Sequence, residues 1–198
     1  MEIKFFNRWS TEGISVVDPG LMNYITLAPK ILPKTGARYA GKKFHKSATF
    51  IVERLATKLM NSGHKSRKHF MSSGHNCGKK NKALTIVENA FALVETKMKK
   101  NPLAVLVKAI ENCAPREEIF TIEYGGAKYP KAVDISPQRR VDLALRSLTQ
   151  SAYLKSFNKK KGIENALAEE IIFAAQCSVK STAISKKRDL ERQASSSK

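Results

Sequence analysis

Apolar residues recur at the spacing of an α-helix in most of this 198-residue chain, from about residue 45 onward. In the clearest segment, one helix face carries Leu84, Val87, Phe91, Val94 and Met98. The period returns in segments near 48–59, 101–115, 141–152, 163–174 and, more briefly, 181–193. Because each helix must bury its apolar face against another, the pattern predicts a mainly α fold, a bundle of about six helices.

One segment departs from the helical period. At about 118–135, apolar and polar residues alternate on either side of Gly125-Gly126, which predicts a β-hairpin protruding from the bundle. Pro130 has no amide hydrogen to donate, so its strand must lie at the edge of a sheet. A two-stranded hairpin alone is marginal in water. We therefore expect this hairpin to lean on the helices or to be held by a partner.

The first 43 residues have little periodicity and contain several prolines and glycines. We interpret 1–43 as a basic N-terminal extension that lies over a surface and does not form core, and 44–198 as the helical domain. Two interpretations of the aromatic residues Phe5, Phe6 and Trp9 are equally open. They can stack on bases, or they can staple the extension to the core.

The charge balance narrows the class of partner. The chain has 36 Lys+Arg against 17 Asp+Glu, a net charge of +19 and a pI of about 10.0. Such a chain attracts phosphate backbones or anionic lipid before other partners. A membrane partner is not expected, because no apolar run approaches the roughly 20 residues that span a bilayer. The composition therefore favours a soluble protein whose partner is nucleic acid.

The polar, glycine-spaced segment 61–82 is predicted to be a loop, and it contains no acidic residue. One interpretation is a phosphate clamp formed by Lys65, Arg67, Lys68, Lys79, Lys80 and Lys82. The other is a zinc site, because three imidazoles and a thiol are a legitimate ligand set: His64, His69, His75 and Cys77. Their spacing matches no zinc-finger pattern, so we expect no metal or other cofactor. We favour contact with nucleic acid.

The hairpin and the helix after it form a second candidate interface. Tyr129 offers a stacking face, and Lys128 and Lys131 can meet phosphates, as expected of an arm that reaches into nucleic acid. The helix dipole favours acids in a first turn, and Arg139 and Arg140 stand there instead. A negatively charged partner would explain them. A surface hairpin with solvated charges is the alternative.

Catalytic patterns are missing from the sequence, so we do not expect an enzyme. It contains no Ser-His-Asp order, P-loop or dinucleotide-binding glycine pattern. Three widely spaced cysteines suit free thiols in a reducing, intracellular compartment. Of these, Cys113 and Cys177 fall on apolar helix faces and are expected to be packed thiols.

Several motifs stand together in one order. They are IVERL (51–55), GKK (78–80), NPLAVLVKAIENCAPRE (101–117), the Gly-Gly hairpin, AVDISPQRRVDLAL (132–145), ALAEEIIFAA (166–175) and AISKKRDLERQA (183–194). From about residue 37 to the end, the chain resembles the universal seventh protein family of the small ribosomal subunit. ISPQRR directly after a hairpin, preceded by an NPL…PRE helix, is the most specific part. The ending resembles the eukaryotic or archaeal branch.

This resemblance implies a structural protein in the head of the small subunit that binds the 3′ major domain of the small-subunit rRNA. Its partners would be that rRNA, neighbouring head and platform proteins, mRNA and the exit-site tRNA, in the cytoplasm, with nucleolar assembly in a eukaryote. The expected rRNA-binding residues are Arg38, Lys42, Lys43, Lys46, Lys79, Lys80, Lys82, Arg116, Arg139, Arg140, Lys186, Lys187 and Arg188. The expected arm near tRNA and mRNA comprises Gly125, Gly126, Lys128, Tyr129 and Lys131.

Two departures from the family pattern stand out. About ten extra residues, roughly Asn61 to Phe70, precede the GKK motif. The hairpin is also less basic than is common in the family, with Glu123 and Tyr124 where arginines are frequent. The alternatives left open are a DNA-binding regulator, with the helix from Pro137 as its recognition helix, and a zinc-dependent enzyme built on the histidine loop.

Overall fold

The computed structural model describes residues 3–36, 38, 40–65, 68–69 and 74–198, without the side chains of Lys65, Lys68 and His69. Arg67 of the predicted phosphate clamp lies outside the described residues. Those residues form six α-helices and two antiparallel hairpins, which confirms the predicted mainly α architecture. The helices are α1 (Ile51–Met60), α2 (Lys80–Met98), α3 (Pro102–Cys113), α4 (Pro137–Ser156), α5 (Ile163–Ala175) and α6 (Thr182–Ser195).

The helices form where capping residues stand just before a segment with apolar residues at helical spacing. The side chain of Asn101 caps α3 by accepting a hydrogen bond from the amide of Leu103 at 3.0 Å, and Pro102 occupies the first turn. Ser181 caps α6 in the same way, accepting from the amide of Ile184. Helix α5 packs against α2, α3 and α4, and α1 packs against α2 and α4. The core therefore surrounds α5.

The first helix begins later than the sequence predicts. Apolar spacing suggested a start near residue 45, whereas α1 starts at Ile51. Phe50 is extended and forms a β-bridge with Thr26, whose carbonyl also accepts from the amide of Ile51 at 3.2 Å. This contact with the N-terminal segment replaces a further helical turn, and residues 40–49 form turns and bends instead.

The expectation that the N-terminal extension stays out of the core is wrong. Phe5 and Leu21 are fully buried, and Trp9 and Ile25 are buried beside them in the core cluster. The ring of Phe5 lies 5.2 Å from that of Phe50, and the indole of Trp9 donates to Glu95 at 3.1 Å. Burying such rings removes a large apolar area from water. Of the two interpretations of these aromatics, the staple to the core is the one that the structure supports.

The predicted hairpin is present, and it is formed by β3 (Glu117–Tyr124) and β4 (Ala127–Asp134). Tyr124 pairs with Ala127, so the loop has only two residues, and both adopt positive φ, 57° at Gly125 and 80° at Gly126. Such turns favour glycine because a Cβ is strained in that conformation. Towards the tip, both strands are exposed.

The predicted loop 61–82 is not all loop. It contains the two-residue strands β1 (His64–Lys65) and β2 (Lys68–His69), and α2 already starts at Lys80. At the other end of the chain, α6 runs to Ser195, with Ala194 buried.

The two predicted packed thiols differ. Cys113 is buried, as expected, but Cys177 lies exposed just after α5 with φ of 55°, so the prediction for it was wrong. None of the helices in the described parts of the chain is long and apolar enough to cross a membrane.

Candidate nucleic-acid interface

Most acidic side chains in the described residues bond inside the protein. Glu170 is fully buried and accepts hydrogen bonds from the hydroxyl of Ser181 at 2.7 Å and the amide of Ala183 at 3.1 Å. Other acidic side chains also accept hydrogen bonds or form ion pairs within the protein: Asp18, Glu53, Glu95, Glu111, Glu117, Glu118, Asp142, Glu164, Glu169, Asp189 and Glu191. Few acids are left on the surface to offset the basic residues.

The predicted rRNA-binding residues divide into two sets. In the first set, which we call the free cations, each side chain is exposed and no carboxylate of the described residues lies within 4 Å of it. The free cations are Arg38, Lys42, Lys43, Lys79, Lys82, Arg116 and Arg188. They come from the N-terminal segment, the start of α2, the root of the hairpin and α6.

The second set, the partnered cations, has contacts within the chain. Lys80 pairs with the buried Glu53, and Lys46 lies 3.4 Å from Asp142. In α6, the amine of Lys187 donates to the carbonyl of Asn112 at 2.9 Å. Lys186, Arg139 and Arg140 complete this set.

Arg140 faces the protein interior. Only 9 % of the residue is exposed; its guanidinium donates from Nη2 to Asp18 Oδ2 at 2.8 Å and from Nε to the carbonyl of Pro115 at 3.1 Å. Burial works to raise the pKa of Asp18, but the hydrogen bonds from Arg140 and Gly20 and the charges of Arg140 and Arg116 outweigh it and lower that pKa. The negative partner that the sequence required for Arg140 is thus one of its own carboxylates.

Arg139 holds the hairpin to α4. Its Nε and Nη2 donate to the two oxygens of Glu118 in β3, at 2.7 and 2.9 Å. This two-point hydrogen bonding raises the pKa of Arg139. About half of the side chain is still exposed. Because Arg140 is buried and Arg139 is bound to the hairpin, with only part of its guanidinium left for another partner, the first turn of α4 is not arranged as a DNA-recognition helix.

Helix α6 and the chain end brace the base of the hairpin. Helix α6 packs on β3. Glu191 accepts from the amide of Arg116 at 3.0 Å, and the amine of Lys198 lies 2.8 Å from Glu117. The hairpin therefore leans on the bundle at its base, while its distal part projects into solvent.

The two faces of the distal hairpin differ in chemistry. The pairing places Ile122 opposite Tyr129 and Phe120 opposite Lys131, so these four side chains share one face with Tyr124. Their large apolar groups are exposed, from 44 % for Ile122 to 80 % for Tyr124. The opposite face carries the cross-strand pair Glu123 and Lys128. The sequence identified Tyr129 as a stacking residue but missed that it belongs to a continuous aromatic face.

The histidine loop does not assemble a metal site in the part of the chain that the structure describes. No group of three or more His, Cys, Asp or Glu lies there within reach of one ion. The thiol of Cys77 instead donates to Asn61 Oδ1 at 2.8 Å. The side chain of His69, one of the four predicted ligands, lies outside the described residues.

Sequence reasoning also missed a basic cluster between α1 and α4. Arg54, Lys58 and Lys46 surround Asp142, and Arg146 lies one turn further along α4. Helical spacing provides a signal for it, because residues four apart share one face of a helix. Only the packing of α1 against α4 brings the two pairs together.

Comparison with known proteins agrees with the family that the motif order indicated. The family of ribosomal protein S7p/S5e matches residues 21–198. A curated relative, the small ribosomal subunit protein uS7 of Nanoarchaeum equitans (strain Kin4-M), is 52 % identical over 198 residues, which cover all of both chains. A match of this extent cannot come from a single motif, and it includes the helices, the hairpin and the basic C-terminal segment. The chain therefore belongs to the ribosomal protein S7p/S5e family.

Proposed function

We propose that the chain is a structural protein of the small ribosomal subunit head that binds the 3′ major domain of the small-subunit rRNA. It acts there without catalysis and touches neighbouring head and platform proteins. Family membership supports this proposal, as does the relative whose name places it in the small subunit. The working location is the ribosome in the cytoplasm; nucleolar assembly applies only if the source is a eukaryote.

The observation that carries the proposal is the division of charge. Acids are consumed by contacts inside the protein, whereas the free cations remain in solvent on several elements. Each Lys or Arg that meets a phosphate releases condensed counterions, which favours binding and makes it depend on salt. Contacts from several elements suit folded rRNA, which is recognised by shape and backbone. The free cations are therefore the first candidates for rRNA contact.

The partnered cations have a second role in the proposal. Arg139 and Arg140 fix the root of the hairpin, and Arg139 keeps donors that its contact with Glu118 does not use. A guanidinium can bind a carboxylate and a phosphate at once, so Arg139 stays a proposed rRNA contact. Lys46, Lys80, Lys186 and Lys187 are assigned in the same way, as residues that position an element and also face RNA.

The hairpin is proposed to lie beside the exit-site tRNA and the path of the departing mRNA. Gly125 and Gly126 permit a narrow tip, and Lys128 and Lys131 stand on opposite faces of the arm. The exposed face around Tyr129 is able to stack on bases, since every base has a π-face.

Sedimentation of ribosomal subunits tests the proposal. A tagged copy of the chain is expected to stay with the small subunit in a sucrose gradient after a high-salt wash. The variant Lys79→Glu/Lys82→Glu should be depleted from subunits. The matched control, Lys99→Glu/Lys100→Glu, reverses the charge of two exposed lysines that are not predicted to bind rRNA. This variant should be incorporated into subunits normally. If the wild-type chain is stripped off by the wash, the proposed function is wrong.

A further inference from the structure

The basic cluster between α1 and α4 has the chemistry of an anion site. A cleft of about 370 Å³ is lined by Lys46, Arg54, Lys58 and Asp142. A second cleft of about 440 Å³ shares Lys58 with it and reaches Arg146. We call this combined surface, with Lys46, Arg54, Lys58, Asp142 and Arg146, the α1–α4 groove. None of its four cations except Lys46 was predicted from the sequence to bind RNA.

The carboxylate of Asp142 is the acid closest to three of these cations, and its distances to them are long for ion pairs. Asp142 lies 3.4 Å from Lys46 Nζ, 3.4 Å from Arg54 Nη2 and 3.8 Å from Lys58 Nζ. By comparison, Arg140 Nη2 and Asp18 Oδ2 form a shorter ion pair, at 2.8 Å. Arg146 is exposed, and no carboxylate of the described residues lies within 4 Å of it. The groove thus has more positive charge than its single acid offsets.

The buried arginine shows where the charge is unsatisfied. Arg54 is 6 % exposed, and its Nη1 donates to the carbonyl of Tyr24 at 2.8 Å. Its Nε is buried and has no hydrogen-bond partner among the described residues. A buried donor without a partner costs free energy, so Asp142 and the carbonyl of Tyr24 do not fully satisfy the guanidinium of Arg54.

The titration of Lys58 agrees with a surplus of positive charge. Burial lowers the pKa of Lys58 most, and the charges of Arg146, Lys46 and Arg54 lower it further, against the opposing effect of Asp142. Repulsion of this kind is relieved when an anion binds among the cations. Glu53, which also lines the first cleft, pairs with Lys80 through one oxygen, and its charge is not among those that act on Lys58.

We propose that the α1–α4 groove binds a phosphate group of an RNA backbone, with Asp142 acting as a positioning residue for its cations. Arg146 and Lys46 would contact the phosphate from the exposed rim and Lys58 from the wall, while the buried Arg54 would act through its charge. This inference rests on the proposed function, because it takes rRNA as the source of the phosphate. The opposite view is that the cluster only ties α1 to α4.

Quantitative RNA binding separates these two views. The full chain is titrated against a transcript of the 3′ major domain over a series of salt concentrations, with Arg146→Gln compared to Lys108→Gln. Both changes remove one charge from an exposed helical position. We expect Arg146→Gln to weaken RNA binding about tenfold and to lower the slope of log K against log salt by the amount expected for about one phosphate contact. Lys108→Gln should change the affinity by less than about twofold and leave the slope unchanged.

The outcomes distinguish the inference from the function on which it rests. If Arg146→Gln binds as Lys108→Gln does while the wild type binds normally, the groove is structural only and the proposed function stands. If the wild type shows no salt-dependent binding, both fail. Thermal unfolding is measured in parallel, and Arg146→Gln is expected to be at least as stable as the wild type, because the substitution removes a repulsion with Lys58.

Chemical protection gives a readout that needs no variant. Acetylation of lysines in the wild-type protein is followed by mass spectrometry with no addition, with the transcript, and with inorganic phosphate. The transcript should protect Lys46 and Lys58 several-fold while Lys108 stays reactive. Protection by inorganic phosphate but not by the transcript would overturn RNA as the source of the anion. Equal reactivity in all three samples would overturn the site.

Discussion

The guanidinium of Arg140 is hydrogen-bonded to the carboxylate of Asp18, which lies 122 positions earlier in the chain, with 2.8 Å between Nη2 and Oδ2. Arg140 also holds the carbonyl of Pro115, just before the hairpin. One side chain therefore joins the N-terminal segment, the hairpin root and α4. The position of the arm depends on this contact.

Replacing Asp18 should show how much this junction stabilises the fold. Asp18→Asn removes the negative charge and leaves the buried guanidinium without its ionic partner, so we expect the free energy of unfolding to fall by about 1–3 kcal/mol. Asp189→Asn is the matched control, since it breaks an exposed ion pair with Arg192. It should cost less than about 0.5 kcal/mol. Urea unfolding followed by circular dichroism measures both, and equal losses would contradict the assigned role.

The same pair predicts a pH dependence. The pKa of Asp18 in the folded state lies below its usual value of 3.8. A carboxyl with a lowered pKa contributes its full stabilisation above the unfolded pKa and loses it as the pH falls through the folded pKa. The difference in stability between wild type and Asp18→Asn should stay constant from neutral pH to about pH 4–5 and narrow below it. A difference that persists unchanged to lower pH would show that the charge is not what matters.

The buried aromatic cluster of the N-terminal segment should contribute strongly to the stability of the whole fold. Phe5→Ala should lower the free energy of unfolding by about 3–5 kcal/mol, because it leaves a cavity against Phe50 and Phe91. Phe44→Ala, at a ring that is 67 % exposed, should change it by less than about 0.5 kcal/mol. Fluorescence of Trp9, the only tryptophan, reports whether the cluster has opened. Similar stabilities for the two variants would mean that the extension does not dock.

The buried carboxylate of Glu170 should stabilise the start of α6 through its hydrogen bonds. The substitution Glu170→Gln keeps the shape but removes the charge that faces Lys155, so the hydrogen bonds to the start of α6 weaken. We expect a loss of about 1–3 kcal/mol and faster amide exchange in α6. Glu164→Gln, whose carboxylate accepts from Asn89 at the surface, is the control and should leave α6 exchange unchanged. Unchanged exchange in both variants would contradict the role of Glu170 in holding the start of α6.

The three thiols should differ in reactivity. Burial, the largest cause, raises the pKa of Cys113 to about 12, and the charge of Glu170 contributes in the same direction. At about pH 8 the thiol is protonated and shielded, so a maleimide should label Cys77 and Cys177 but not Cys113. In denaturant all three should react. Rapid native labelling at Cys113, located by mass spectrometry, would show that the core around α3 opens readily.

Features that depend on neighbouring residues were predictable. Gly125-Gly126 marked the hairpin turn, because a tight turn is set by a few adjacent residues. The start of α1 was not predictable in this way. It depends on Phe50 pairing with Thr26, and no local period reveals a bridge between segments 24 residues apart.

The candidate interface was predictable in kind but not in detail. The net charge of +19 indicated a phosphate-rich partner, and the motif order indicated the family. Composition cannot say which cations are free. Arg140 and Lys80 pair with Asp18 and Glu53 inside the protein, whereas Arg146 and Lys58, which were not predicted to bind RNA, line one cleft.

The helical segments, the protruding hairpin and the excess of positive charge could be predicted from the sequence, because periodicity, turn residues and composition are properties of adjacent residues or of simple sums. Only the packing of the chain shows that the first residues join the core and which basic side chains face solvent. An ion pair or a ring contact needs two groups within a few ångströms, and here packing brings those groups together from distant parts of the chain.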